Sequence, residues 1–201
     1  MTINLSGIVI LAGGESTRMG SPKALLKLAN GETLLEFHIR HAKNLNVPVM
    51  VADNGKHFCQ DNTVKIIDDY IKNDETSKGA GALSAIAGAM AHLPHHAGYL
   101  LVISCDSLVS AHQLFDTLTA QSVQNADVIY VKSDKDYPLL GLYSLDLTDK
   151  LQGYLDNGGR SVMKFLSEVN VKTVDLPNDW VKLANFNDKD EFELALIKFY
   201  G

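Results

Sequence analysis

Leu11-Ala12-Gly13-Gly14-Glu15-Ser16-Thr17-Arg18-Met19-Gly20-Ser21-Pro22-Lys23 follows an unbroken apolar run, Gly7-Ile8-Val9-Ile10-Leu11. β-Branched and aliphatic residues in succession, with no polar alternation, read as a buried strand. The loop that follows supplies two adjacent glycines, a hydroxyl pair, an arginine, a third glycine and a lysine. Glycines admit positive φ and let backbone N–H groups come close to a ligand. With Arg18 and Lys23 they make a concave cationic cradle suited to a polyphosphate. An ordinary turn accounts for Gly13-Gly14, but poorly for Arg18, Gly20 and Lys23 at these spacings. Two familiar phosphate loops are excluded. Neither Gly13 nor Gly14 has a Gly-Lys pair at the Walker distance, and the G-x-G-x-x-G fingerprint is absent.

Composition narrows the class. The chain has 201 residues, 46% of them hydrophobic, which suits one domain over 1–201 with a full-sized core. A net charge of −6 argues against a general nucleic-acid binder, though a nucleotide pocket needs only local positive charge. Cys59 and Cys105 lie far apart, so a disulfide framework or zinc ribbon is not expected. The start of the chain has no basic segment followed by a long apolar one, and the run to Ala12 is too short to span a bilayer. A cytoplasmic protein without membrane contact is expected.

Working outward from the loop, Thr33 with Glu36 reads as a capping box opening a helix to about Asn44. His38 and His41 on that helix read as surface residues rather than metal ligands. Val47–Ala52 and Val64–Ile67 read as strands, the latter ending at Asp68-Asp69. Carboxylates at the carboxyl end of such a strand lie where ligands bind; a solvated acidic turn explains Asp69 equally well. Asp74–Lys78 is polar and aperiodic. The alanine-rich stretch from Ala82 to Leu93 predicts a helix packed closely on a sheet, its positive dipole end toward a crevice. His92, His95 and His96 read as a surface cluster. Gly98–Ser104 is the clearest strand. It ends at Cys105-Asp106, where an ionisable group after an apolar strand needs a partner. Mg²⁺ is a suitable one, since it takes one or two carboxylates plus phosphate oxygens. Ser110 is the better cap for the helix that follows, about Ala111–Val123. Asp127–Val131, Tyr137–Ser144, Val169–Leu176 and Trp180–Ala184 read as strands. Asp146–Leu155, Val162–Glu168 (capped by Ser161) and Lys189–Phe199 read as helices. This alternation predicts a three-layer, Rossmann-like α/β fold with a mostly parallel central sheet. The crossover rule then gathers Gly13, Lys23, Asp69, Gly81 and Asp106 in one crevice.

The first loop matches L-A-G-G-x-S-x-R-M-G-x-x-K without a gap, and so resembles the molybdenum cofactor guanylyltransferase (MobA-type) family of nucleotidyltransferases. The resemblance extends over nearly the whole chain. Asp69 is similar to an aspartate that helps hold guanosine. Gly81-Ala82-Leu83-Ser84-Ala85 resembles G-P-L-A-G, which implies nucleotide contacts at Gly81 and Leu83. Cys105-Asp106 resembles the C-D whose aspartate binds Mg²⁺, although Ser107-Leu108 stands in place of T-P or M-P. Tyr137-Pro138-Leu139-Leu140-Gly141-Leu142-Tyr143, Gly159-Arg160-Ser161-Val162-Met163 and Asn185-Phe186-Asn187 resemble segments facing the pterin acceptor. They imply roles for Pro138, Arg160, Asn185 and Asn187. An asparagine that the family has after its second strand stands here as Ala52.

The resemblance implies a reaction. GTP and molybdopterin, or Mo-molybdopterin, would give the guanine dinucleotide and pyrophosphate by in-line attack on the α-phosphorus. Asp106 would hold Mg²⁺, Lys23 and Arg18 would neutralise the triphosphate, and the main chain at Leu11, Ala12, Gly13 and Gly14 would contact the nucleotide. Other cofactor-biosynthesis proteins and apo-molybdoenzymes are implied partners. Alternatives remain: a cytidylyltransferase making the cytosine dinucleotide, a sugar-phosphate-type nucleotidyltransferase, or a non-catalytic nucleotide sensor or handover subunit.

Overall fold

The computed structural model describes residues 3–14, 19–72, 81–94, 98–120 and 125–201. Glu15–Arg18, the 74–78 stretch, and His95 and His96 lie outside them. The elements in chain order are β1 (Leu5–Leu11), α1 (Leu34–Lys43), β2 (Val49–Ala52), β3 (Lys65–Ile66), α2 (Gly81–Met90), β4 (Tyr99–Ser104) and α3 (Ala111–Thr119). They continue as β5 (Val128–Lys132), β6 (Asp136–Ser144), α4 (Thr148–Asp156), α5 (Val162–Leu166), β7 (Val171–Asp175) and α6 (Lys189–Tyr200).

The strands form one seven-stranded sheet in the order β3-β2-β1-β4-β6-β5-β7. Every neighbouring pair is parallel except those made by β6, which runs antiparallel to β4 and β5. Alternate strand residues feed two cores. Ile8, Ile10, Leu101 and Ile103 face α1 and α3, while Val9, Met50, Leu100 and Val102 face α2, α4 and α5. The three layers and mostly parallel sheet expected from the sequence are therefore present, in an α/β fold. Among the described residues no helix is long and apolar enough to cross a membrane.

Local signals held where the chemistry is local. Thr33 and Glu36 form a complete capping box at α1, and the Ser110 and Ser161 side chains cap α3 and α5. Two expectations fail. Trp180–Ala184 is not a strand: Asn178–Trp180 forms a single 3-10 turn, and the N–H of Ala184 donates to Trp180 O over 2.8 Å. Burial falls on Trp180 and Ala184, a helical rather than a two-residue spacing. His38 is not on the surface either. It is fully buried, because it lies four residues after Leu34 on the inward face of α1.

The glycine in α2 has a clear steric role. A Cβ on Gly88 would stand 2.3 Å from the Asp68 carbonyl oxygen, so the 68–70 backbone lies directly on the helix. Gly88→Ala is expected to destabilise the protein by about 2 kcal/mol or more, since neither backbone can yield cheaply. Gly153→Ala, where nothing lies within 4 Å of the new Cβ, should instead stabilise α4 by about 0.5–1 kcal/mol. Urea midpoints of the two variants check the contrast.

Candidate active site

β1 and β4 lie side by side in unbroken register from Gly7↔Leu100 to Leu11↔Ser104, so both end at one level. The chain leaves β1 toward α1 and β2, and leaves β4 toward α3 and β5, on opposite sides. A crevice outside two such strands is where open α/β sheets bind ligands. The loops that open here carry Lys23 and Asp106. Lys23 Nζ stands 3.3 Å from Asp106 Oδ2 and donates to Phe186 O over 2.7 Å. Both side chains are mostly buried, at 17% and 24% exposure, so the attraction is less screened than in an open surface pair. The Asp106 carbonyl in turn accepts the Phe186 N–H at 2.9 Å. Three segments distant in sequence are thereby tied into one knot.

Two small cavities are lined by residues of the expected site. One, of about 230 Å³, is lined by Ser104, Asp106, Lys135, Asp136, Tyr137, Pro138, Val162 and Asn185, among others. Pro138, Asn185 and Asp106 thus share one cavity. Asn187 stands one step behind, its Nδ2 donating to Asn185 Oδ1 at 2.8 Å. Arg160 does not line this cavity. Its Nη1 donates to Leu155 O and Gly159 O, each over 2.7 Å, so one end of the guanidinium holds the turn after α4.

The second cavity, of about 220 Å³, is lined by Asn54, Gly55, Asp68, Asp69 and Lys72. Asp69 is half-buried, and burial together with the neighbouring Asp68 charge pushes its carboxyl up to about 6. Gly13 packs against this side, with its would-be Cβ 3.0 Å from Asn54 Cβ. Ala52 therefore does not leave β2 without a polar group at its end, because Asn54 stands two residues on. Lys23 and Asp106 meet as a pair, while Asp69 lines the second cavity and Gly13 packs against its Asn54. Gly81 opens α2 with φ +69° and lines neither cavity. Leu83 is fully buried, so only its main chain is left to meet a ligand.

Main-chain accounting trims the first loop's expected contacts. Ala12 N–H is committed to Ala52 O at 2.8 Å, and Leu11 O accepts Cys105 N–H at 3.0 Å. The Ala12 carbonyl and Gly13 N–H remain. Gly13 O and the exposed Gly14 O accept the Lys56 ammonium at 3.2 and 3.3 Å. Arg18 lies outside the described residues.

Lys56 and Asp53 were missed from the sequence. Asp53 is fully buried just after β2; its Oδ2 accepts Phe58 N–H at 2.9 Å, and Oδ1 has no partner. The available signal was the one used for Asp106, a carboxylate ending an apolar strand. Among the described residues no three His, Cys, Asp or Glu side chains come together as a metal cage. Asp106 Oδ1, with no partner among the described residues and an open cavity beside it, fits Mg²⁺, which keeps several waters and takes few carboxylates.

With this geometry, residues 8–171 match the family described as the MobA-like NTP transferase domain. The chain belongs to that family. It is a nucleotidyltransferase by that membership. Curated relatives of this MobA-like NTP transferase match it over nearly their whole length. A Bacillus cereus (strain Q1) protein described as "Probable molybdenum cofactor guanylyltransferase" is 28% identical over 193 residues, 93% of this chain and 94% of the relative. Among solved structures, molybdopterin-guanine dinucleotide biosynthesis protein A from Archaeoglobus fulgidus superposes with a TM-score of 0.75 at 21% identity, covering 95% and 97% of the two chains. A Mycobacterium tuberculosis H37Rv protein solved in complex with manganese has a TM-score of 0.61 at 14% identity, covering 98% of this chain and 100% of its own.

Two titrating groups here oppose one another. Burial lowers His38 to about 4 from 6.5, so the unfolded chain binds more protons between those values and stability falls as pH falls through them. Asp69, raised to about 6 from 3.8, does the reverse: the folded chain holds the extra proton, and stability is lost as pH rises through about 6. Asp69→Asn removes the offsetting group. Its unfolding free energy should fall more steeply than wild type between pH 6 and 4, read from urea midpoints at each pH.

Proposed function

We propose that this chain transfers GMP from GTP to molybdopterin, or to Mo-molybdopterin, forming the guanine dinucleotide and pyrophosphate with Mg²⁺, in one domain spanning 1–201. The observation that carries this reading is the Lys23–Asp106 contact at the shared edge of β1 and β4, with a cavity open beside Asp106. The names of the Bacillus and Archaeoglobus proteins support the guanylyl choice.

In this reading the cavity of Asn54 and Asp69 takes the guanosine part, and that of Pro138 and Asn185 takes the pterin. Lys23, held by Phe186 O, presents its ammonium to the triphosphate. Arg18 adds charge from the first loop. Gly14 and the start of α2 at Gly81 turn main-chain groups and a positive dipole end to the phosphates. Asp106 would hold Mg²⁺ through Oδ1; bound there, the ion would neutralise charge developing on the phosphates. Asn187 orients Asn185. No covalent nucleophile is required, since positioning and charge neutralisation suffice for in-line transfer. A cytoplasmic setting fits the two free thiols, Cys59 and Cys105. Contacts with cofactor-biosynthesis proteins and apo-molybdoenzymes follow from the product's destination.

The test is product formation with Mg²⁺ and molybdopterin, with GTP, CTP, ATP and UTP supplied in parallel. Dinucleotide and pyrophosphate are expected with GTP. Product with CTP instead would keep the reaction and overturn the base. Binding of GTP without product would favour a sensor or handover protein. Asp106→Ala should lower turnover by roughly 100-fold or more. GTP affinity should weaken roughly tenfold from pH 7 to pH 5 as Asp69 protonates, and this dependence should vanish in Asp69→Asn, as isothermal titration can measure.

A further inference from the structure

We propose that His38 is a positioning residue for Asp106: its Nε2–H holds the Ser107 carbonyl, and so fixes the loop that presents the carboxylate. The inference rests on the reading of Asp106 given above. His38 Nε2 stands 2.9 Å from Ser107 O, across 69 residues of chain. A carbonyl only accepts, so Nε2 carries the proton and Nδ1 carries a lone pair. Nδ1 is buried with no partner. An orphaned nitrogen in a fully buried ring is costly, and an aliphatic side chain would fill the site without it. What the imidazole adds over an aliphatic group is this one long-range bond. Burial also keeps the ring neutral near pH 7, so a single ring proton is present and it is committed to Ser107.

The loop has a reason to need such a tie. Ser107-Leu108 stands where the resembling motif has a proline second, and proline's ring fixes φ. Leu108 lacks that restraint and keeps an N–H, which donates to Leu183 O at 2.8 Å. Its side chain enters a small apolar cluster with Met19, Phe37 and Phe186. The Ser107-Leu108 peptide is thus gripped from both sides, its carbonyl by α1 and its amide by the 183–186 segment. External hydrogen bonds do the restraining that a proline would do from within. Asp106 precedes this peptide directly, so slack there moves the carboxylate, and displacements near 1 Å are enough to slow a positioned reaction.

The test compares His38→Leu, which removes the donor, with His38→Gln, whose side-chain amide can replace it. Four readouts are taken: kcat and KM for GTP, the half-saturating Mg²⁺ concentration, Mn²⁺ binding by EPR with GTP present, and hydrogen exchange at 107–109. For His38→Leu we expect kcat down by roughly tenfold, metal affinity down severalfold, KM for GTP within about twofold, and faster exchange at Leu108. His38→Gln should recover most of each. Equal behaviour of the two variants, or a loss of thermal stability with kcat, metal binding and exchange unchanged, would overturn the proposal. Should His38→Leu fail to fold, ¹⁵N NMR of the wild-type imidazole decides: a slowly exchanging Nε2–H tautomer is required, and an Nδ1–H tautomer sinks the idea. Absence of any nucleotidyl product from the wild type would strike the functional reading alone, because Mn²⁺ binding, exchange and tautomer still report on His38.

Discussion

Parallel pairing of β1 with β4 at the centre of the sheet is the constraint on which the site depends. Their register runs level to the last residues, and backbone bonds continue it past the strands, from Cys105 N–H to Leu11 O and from Ala12 N–H to Ala52 O. Three loops therefore leave the sheet at one height. Because β1 and β4 feed connections on opposite sides, those loops part and leave a crevice between them. No single loop could build it.

The crevice is held open in a defined shape by a second tier of contacts. Met19, Leu108, Phe186 and Phe192 form an apolar cluster beneath the loops, together with Leu34 and Phe37 of α1. Above it lie the polar ties, Lys23 to Asp106 and Phe186, Leu108 to Leu183, and His38 to Ser107. Apolar burial supplies the attraction without direction, and the hydrogen bonds supply direction. On the far side, Asp53 braces the 53–58 turn through Phe58 N–H, and Lys56 of that turn reaches the Gly13 and Gly14 carbonyls.

Antiparallel β6 divides the edge. Insertion of β6 between β4 and β5 brings Pro138 beside Asp106. The parallel half, β1 to β3, keeps Gly13, Asn54 and Asp69 together. Asp136 at the start of β6 is held low by the Tyr130 hydroxyl and by Lys132, so it stays charged without drawing on Lys23.

Short-range chemistry was readable directly. Apolar runs at 7–12 and 99–104, the Thr33–Glu36 capping box, the Ser110 and Ser161 caps and the glycine-rich loop each depend on residues a few positions apart, so residue type and spacing determined them. The layered, mostly parallel fold followed from their alternation, and the first loop was enough to point to the family. Long-range contacts were decided only by the tertiary structure. His38 is buried because its one ring proton finds Ser107 O, 69 residues away. Asp53 is buried because Phe58 N–H turns back to it. Trp180–Ala184 curls into a turn because its apolar residues cover the sheet face rather than extend the sheet. Asp69 lines one cavity with Asn54, and Asp106 another with Pro138, because the strands that carry them lie apart in the sheet. A polar group's burial is settled by the partner that satisfies it, and that partner is set by the packing of distant segments.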